Sequence, residues 1–347
     1  MSEISIYGAG LAGMVAGINL AREGFSVIVY DRETSIGGSK NVHPSIHTTP
    51  LQPKETWDYI GIDLSESFCP TDTYPDFWYN AKRLTLPPYV NNTFAYNVER
   101  GARKTSIDTR LYEIALNEGV KFSFNKNLTP NELKSAPPGS IIATGLYKEA
   151  YDLVGVKCNT TYGYMASIPW EQGVSSGAIH MGGYSIDYGY TATLNGLMYV
   201  LLFSRTPLKE GQLEQFKKVL KDARGLEFAN WHTFNGHFPR ETRLFWKDKI
   251  LTGTLSGMIE PFWGYGIVGA LISGKVASLV HTDRKKAEED FHKFTAGFKR
   301  KLTRKEKMDK MPFNKQLLRL GILKARFDCW RNPELKKAVK EPVRWFK

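Results

Sequence analysis

The chain has 347 residues, 42% of them hydrophobic, and a formal net charge of +12. It can bury a large core in one elaborated domain or two, and no internal repeat or long low-complexity linker interrupts it. The charge is uneven. Residues 284–347 hold 21 Lys+Arg against 8 Asp+Glu, and the remainder is almost neutral with 26 against 27. The basic character therefore belongs to a tail, and no recognition motif accompanies it that would mark a nucleic-acid binder. Cys69, Cys158 and Cys329 are too far apart to suggest a disulfide framework or a metal site, which fits a reducing, cytoplasmic setting. The first residues begin a strand at once, leaving no room for a signal peptide. No apolar run approaches the ~18 residues that suggest a membrane span.

Taken in chain order, the first element is an apolar strand ending at Tyr7. It runs into Gly8-Ala9-Gly10-Leu11-Ala12-Gly13, then a helical run (Met14, Val15, Ile18, Leu20) stopped by Gly24. A second strand, Val27 to Tyr30, ends at Asp31, 18 residues beyond Gly13. These are the parts of a dinucleotide-binding unit in their required order. Gly8 permits the tight turn, Gly10 lets the backbone approach a pyrophosphate, and Gly13 lets helix and strand pack closely. The helix start offers free N–H groups and the positive end of its dipole to phosphate. Asp31 can accept from ribose hydroxyls, and Arg32 beside it joins the binding set. The alternative is an ordinary βαβ unit whose glycines serve packing alone.

Residues 49–96 leave the βαβ rhythm and are rich in proline and aromatics, Tyr74 and Trp78 among them. Residues 97–150 return to it, with Ser106 or Asp108 capping a helix and Val120–Phe124 alternating as a strand. Ile141-Ile142-Ala143-Thr144-Gly145 is a short strand and turn. Residues 151–248 read as strands broken by glycine turns, with one helix over Glu210–Ala223. A strand at Ile250-Leu251 then meets the glycine-rich run from Gly253 and Thr254 to Gly264-Tyr265-Gly266-Ile267, which opens a second long apolar helix.

The late segment, the Gly37-Gly38 pair followed by Ser39, and Ala143-Thr144-Gly145 favour FAD over NAD as the bound dinucleotide. A helix start aimed at a flavin stabilises negative charge on its reduced form. Together with Arg100-Gly101 before Ser106-Ile107-Asp108, these motifs resemble the geranylgeranyl reductase family of flavoproteins, a branch of the aromatic-ring hydroxylase fold. The resemblance is spread over residues 1–280, and the late Gly253–Ile267 motif is its more specific part. It implies an α/β architecture: a discontinuous Rossmann-like FAD-binding domain (1–48, 97–150 and 249–283), an inserted sheet-based substrate domain (49–96 and 151–248), and a basic helical region (284–347). It also implies an FAD contact for Arg100, with Arg103 and Lys104 as competitors. Two departures stand out. Thr254 occupies a position where the family usually has Asp, and residues 34–53 lack the cysteine many members carry there.

That loop offers His43 and His47 instead. With Tyr265 they are the candidates for proton donation or for lining a substrate channel; the alternative is a pair of structural loop histidines. Aromatics of the inserted segments, including Trp78, Tyr164, Tyr184, Tyr188, Trp231 and Trp263, suit a long apolar pocket as well as they suit an ordinary core. The expected activity is flavin-dependent reduction of carbon–carbon double bonds in an isoprenoid or lipid-like substrate. The rivals are a monooxygenase and a non-catalytic flavoprotein. No second nucleotide fingerprint appears, so the reductant is NAD(P)H bound transiently or a small electron-carrier protein. In the tail, basic residues interleave with Phe313, Leu317, Leu320, Phe327 and Trp330, a pattern for an anionic membrane surface or for a helical cap with a solvated basic face.

Overall fold

The protein is described by a computed structural model over residues 3–40, 42–71, 76–86, 95–127, 129–171, 173–311, 314–332 and 345–346. Tyr74 and Phe313 lie outside the described residues, as does the side chain of Leu317.

In chain order, β1 (Glu3–Tyr7), α1 (Leu11–Arg22) and β2 (Ser26–Tyr30) are followed by β3 (Ser45–Pro50) and α2 (Pro53–Ile60). Next come β4 (Phe68–Pro70), β5 (Asp76–Tyr79), β6 (Lys82–Leu84) and β7 (Ala95–Arg100). Then α3 (Ile107–Asn117), β8 (Lys121–Ser123), α4 (Pro130–Ser135), β9 (Ile141–Ile142) and α5 (Lys148–Val154) complete the first half. The second half holds β10 (Cys158–Pro169), β11 (Ser176–Met181), β12 (Tyr188–Leu194), β13 (Leu197–Ser204), α6 (Glu210–Arg224) and β14 (His232–Pro239). It continues with β15 (Phe245–Trp246), β16 (Lys249–Leu251), α7 (Ile267–Thr282), α8 (Arg284–Thr295), α9 (Phe298–Lys310) and α10 (Asn314–Arg331).

These elements form three sheets. The first has the order β15-β16-β9-β1-β2-β8 and is parallel except at its β15 edge. Its central strands read as continuous apolar runs because helices cover both faces. α1 and α7, apolar almost all round, press against it, and Ile6, Met14, Ile18, Leu271 and Ile272 are wholly buried between them. The second sheet, β14-β10-β13-β12-β11-β5-β6, is antiparallel apart from the β11–β5 pair. The third, β3-β7-β4, lies between the other two in the chain's course and packs on β12.

The expected α/β fold, with a Rossmann-like parallel sheet and a separate, largely antiparallel second sheet, is present. The expected boundary at residue 49 is not: β3 runs through it. Ile60, Ile62, Leu64 and Phe68 share the core of Ile6 and Leu271, so residues 51–68 belong to the nucleotide-binding body. Only β5 and β6 of that segment extend the substrate sheet. The aromatics expected to line one channel divide in the same way, because alternate strand residues face opposite sides. Tyr164, Tyr184 and Trp231 pack with Phe216 of α6 on the far face, whereas Tyr188, Tyr190 and Tyr199 face β3.

The basic tail is only partly a free appendage. Ala287 and Phe291 of α8 join the main core. Phe298 and Leu302 of α9 pack on Phe238 and Ile259. Phe346, close to the last residue, exchanges two hydrogen bonds of 3.2 Å with the Gln52 side chain. Among the described residues no helix is long and apolar enough to cross a membrane.

Candidate cofactor and active site

The parallel strands β1, β2, β9 and β16 all end at one edge of the first sheet, where ligands of open α/β folds bind. There the chain builds a cleft whose walls include Gly8, Ala9, Gly10, Asp31, Arg32, Gly38, Ser39, Arg100, Ala143, Thr144 and Gly145. Segments 100 residues apart in sequence thus supply one wall. Gly8 has φ +119, and a Cβ there would stand 2.4 Å from the Ala143 carbonyl oxygen; a Cβ on Gly13 would stand 2.0 Å from Gly8 O. Both glycines are demanded by the protein's own packing. Gly10 is different: a Cβ on it would meet no protein atom within 4 Å, so its missing side chain keeps open space in the cleft. Gly10 caps α1 without any side-chain bond, and the N–H groups of the first turn (Leu11, Ala12, Gly13) have no intrahelical acceptor. Thr144 lines the same cleft with a buried hydroxyl that has no partner among the described residues.

Asp31 sits where a ribose acid is expected, and it also closes the glycine turn. Its Oδ2 accepts from Ala9 N at 2.6 Å and its Oδ1 from Glu33 N at 2.9 Å. Each oxygen keeps a second lone pair for a ribose hydroxyl. The Arg32 guanidinium lies 4.8 Å above the Tyr147 ring, forming one side of the cleft. Of the three basic candidates, only Arg100 lines the cleft. It is held by Asp108 through two hydrogen bonds of 2.7 and 2.8 Å, and Gly101 N donates to the same carboxylate at 2.9 Å. Burial alone pushes the Asp108 carboxyl up, but the Arg100 charge and these bonds override it and hold it below the usual carboxylate range. Ser106 is the cap of α3; Asp108 is free for Arg100 for that reason.

The late motif lies outside the cleft's walls but against the same end of α1. Gly253 N donates to Ser273 Oγ at 2.9 Å, and a Cβ on Gly253 would stand 3.3 Å from Ala12 Cβ. Thr254 is half-buried on the 3-10 turn Gly253–Ser256. The following loop is closed on itself: Glu260 N donates to Tyr265 O and Gly264 N to Glu260 O. The Glu260 carboxylate accepts from Phe262 N and Trp263 N at 3.0 and 2.7 Å. Gly266 then caps α7, and Ile267 is its first helical residue. Glu260 is a structural acid, and Lys301 of α9 approaches it to 3.5 Å.

His43 and His47 come together through Ser45. His43 Nδ1 lies 2.8 Å from Ser45 Oγ, which lies 3.1 Å from His47 Nε2. Burial first, and then the Arg100 cation, lower His43 to about 4 and His47 to about 3, so both are neutral near pH 7. His47 stacks on Tyr199 at 6.4 Å. Tyr190 bonds Thr48 at 2.5 Å, and Tyr188 OH donates to Trp263 O at 2.8 Å. This aromatic layer therefore joins β3 to the loop before α7. Burial raises all three tyrosine hydroxyls well above their ordinary value.

Sequence reasoning missed one group entirely. Asp187, wholly buried, accepts from Arg205 N at 2.7 Å and pairs with Lys305 at 2.8 Å and with the Arg205 guanidinium at 3.5 Å. Arg205 in turn donates to the carbonyls of Pro261 and Phe262. Lys305 is 4% exposed although it sits in a run of charges that reads as solvated. Only the α9 packing on Phe238 and Ile259 reveals its inward direction.

The NAD(P)-binding Rossmann-like domain family matches residues 6–50. Over 106 residues the chain is 38% identical to flavin-containing monooxygenase FMO GS-OX-like 7 of Arabidopsis thaliana, covering 29% of this chain and 20% of that one. It spans far less than two thirds of such relatives. Two solved structures superpose on almost the whole chain. A geranylgeranyl bacteriochlorophyll reductase-like protein from Thermoplasma acidophilum has a TM-score of 0.69 at 16% identity, covering 97% of this chain and 98% of that one. The p-nitrophenol 4-monooxygenase PnpA from Pseudomonas putida DLL-E4 has a TM-score of 0.62 at 13% identity, covering 98% and 97%. The fold is that of the flavoprotein oxidoreductases. The residues at the cleft fit FAD: an open approach at Gly10, a Thr144 hydroxyl without a partner among the described residues, the N-terminus of α1 and an anchored arginine. The resemblance to geranylgeranyl reductases is met at the level of fold, and the reductase and monooxygenase branches are both among the similar structures.

Proposed function

We propose that this protein is an FAD-dependent oxidoreductase that reduces carbon–carbon double bonds of an isoprenoid or other lipid-like substrate. Bound and reduced, FAD supplies the hydride. In this reading Asp31 takes the adenosine ribose. The start of α1, Thr144 and Arg100 take the pyrophosphate, and Gly253, Thr254 and the Gly264–Ile267 turn meet the flavin half. NAD(P)H or a small electron carrier is the external reductant.

The observation that carries the substrate reading is the uncharged aromatic layer of Tyr188, Tyr190, Tyr199 and His47 between β3 and the substrate sheet. Tyr190 and Tyr199 are buried within it and its hydroxyls are held neutral by burial, so the wall it builds would carry no fixed charge towards a substrate. His47 faces this layer and is linked through Ser45 to His43. Ser45 has one hydroxyl proton, so it donates to one imidazole and accepts from the other. A proton given up by His47 Nδ1 to the substrate carbon would be replaced at Nε2 from Ser45, Ser45 from His43 Nδ1, and His43, which is half-buried, at its Nε2 from solvent, so that neither histidine carries a charge before or after the step. Tyr265, at the turn beside the flavin half, is the other candidate donor.

The test is anaerobic. Reduced protein is mixed with an isoprenoid alkene, and the product is examined by mass spectrometry for the gain of one hydride and one proton. His47→Phe should slow this step while leaving flavin reduction by the donor unchanged. Rapid aerobic NAD(P)H consumption with a hydroxylated product would instead establish the monooxygenase reading.

A further inference from the structure

The last two long helices of the tail are both basic in sequence and opposite in placement. α9 turns Phe298, Leu302 and Lys305 inward. α10 does not: Leu320, Leu323, Phe327 and Trp330 are 60%, 47%, 55% and 76% exposed. Their spacing of three, four and three residues puts them on one stripe of an α-helix. By the same rotation of about 100° per residue, Arg326 falls along one edge of that stripe, and Lys324 and Arg331 along the other. Ile322, on the opposite side, is half-buried. We propose that α10 is an interfacial membrane-docking helix, lying in the plane of an anionic lipid surface with this stripe in the acyl boundary.

The charge pattern selects this occupant over a second copy of the chain. α10 carries five Lys+Arg and one Asp, so pairing two copies along the stripe brings like charges together at both edges. An anionic bilayer offers the complement: the apolar stripe enters, and the flanking bases reach up to the headgroups along their aliphatic stems. An aromatic pair at its end, Phe327 and Trp330 with ring centroids 5.7 Å apart, suits the interface, where Trp is favoured. The inference does not rest on the reaction proposed above, since vesicle binding requires no turnover.

The experiment is sedimentation of the full chain with vesicles of phosphatidylcholine alone and of phosphatidylcholine with phosphatidylserine, at low and high salt. Binding to the mixed vesicles at low salt, weakened at least about tenfold by high salt and at least about tenfold by Phe327→Asp with Trp330→Asp, is the expected result. These positions are solvent-exposed, so the thermal melt of the double variant should match the parent. Trp330 emission should shift to the blue on binding, with the Trp330→Phe variant as the reference for the other tryptophans. No preference for anionic vesicles, or unchanged binding in the double variant, overturns the proposal. So does a dimer in sedimentation equilibrium that the double variant abolishes, because the stripe then belongs to a second copy.

Discussion

Two glycine-rich turns meet at the start of α1, and they are built on different principles. The first, residues 8–13, is rigid through backbone contact: Gly8 against Ala143 and Gly13 against Gly8 leave no room for a side chain. The second, residues 253–266, is held by side chains from elsewhere. Glu260 gathers the N–H groups of Phe262 and Trp263, Arg205 binds the carbonyls of Pro261 and Phe262, and α9 brings Lys301 to Glu260 and Lys305 to Asp187, the carboxylate that also holds Arg205. The glycines of the first turn can be read from six residues, although the Ala143 backbone and the Asp31 carboxylate complete it from outside. A turn fixed by remote charges depends on chain almost fifty residues downstream.

The largest expected effect falls on the first turn. Gly13→Ala places a Cβ against a backbone oxygen that cannot yield, and should cost about 3 kcal/mol or more, visible in a urea melt of the cofactor-free protein. A near-neutral result would mean that the contact is not needed. Next is the remote anchor. Lys305→Ala strands Asp187 without its closest cation, and removal of one partner of a buried pair costs about 3–5 kcal/mol. Replacing the pair together, Lys305→Met with Asp187→Leu, should recover little of that, because the buried Arg205 guanidinium then loses its carboxylate. If the single variant is as stable as the parent, the second turn stands without α9. Deletion of the chain from about residue 300 should accordingly destabilise the protein as well as removing a surface helix, because Leu302 and Lys305 are buried.

The histidine chain gives an intermediate effect with a defined sign. His43 and His47 are held near 4 and 3 when folded and return to about 6.5 when unfolded. Below that value the unfolded chain binds protons that the folded chain refuses. Stability is therefore full above about pH 6.5 and falls as the pH drops towards 4, by up to about 1.4 kcal/mol per pH unit per histidine. His47→Gln should flatten the slope of stability against pH over this window; an unaltered slope would show that His47 does not contribute to it.

The smallest effects on stability come from two cofactor-facing changes. Gly10→Val should cost the cofactor-free protein no more than about 1 kcal/mol, the loss of a favourable N-cap residue, because a Cβ there meets nothing within 4 Å, yet yield a colourless protein that no longer takes up FAD. Retention of FAD would show that the pyrophosphate lies elsewhere. Thr254→Asp should change stability by less than about 1 kcal/mol and keep the flavin. Loss of flavin in that variant would undo the match between this turn and the late motif of the geranylgeranyl reductases.

Much of the nucleotide half was legible because each requirement is local. Strand, tight turn, helix and acid follow one another within 28 residues from Ile4 to Asp31, and the structure places Gly8, Gly10, Asp31 and Arg32 in one cleft. Gly38, Ser39, Arg100, Ala143, Thr144 and Gly145, named from the resemblance and the glycine motifs, line it too, but other parts of the wall were not legible. Lys126, Asn127 and Tyr147 reach the cleft from the ends of β8 and β9, which depends on strand order rather than on any pattern in those residues. Asp108 could be named as a helix cap, but its role opposite Arg100 follows from the course of β7 into α3. The single aromatic channel was over-read, since density of rings along a strand says nothing about which face each one takes.

Local sequence by itself determined the dinucleotide-binding unit, the helix starts at Ser106 and Gly266, and the concentration of positive charge after residue 284. Each is a matter of backbone conformation, capping or composition within one segment. Tertiary structure decided the rest: that residues 51–68 join the nucleotide-binding body, that His43 and His47 share Ser45, and that Lys305 points inward while Trp330 points out. The physical reason is the same in all three cases. Burial and charge pairing are properties of surfaces brought together by the sheet order, and two basic helices take opposite placements when only one of them finds an apolar partner and a buried carboxylate.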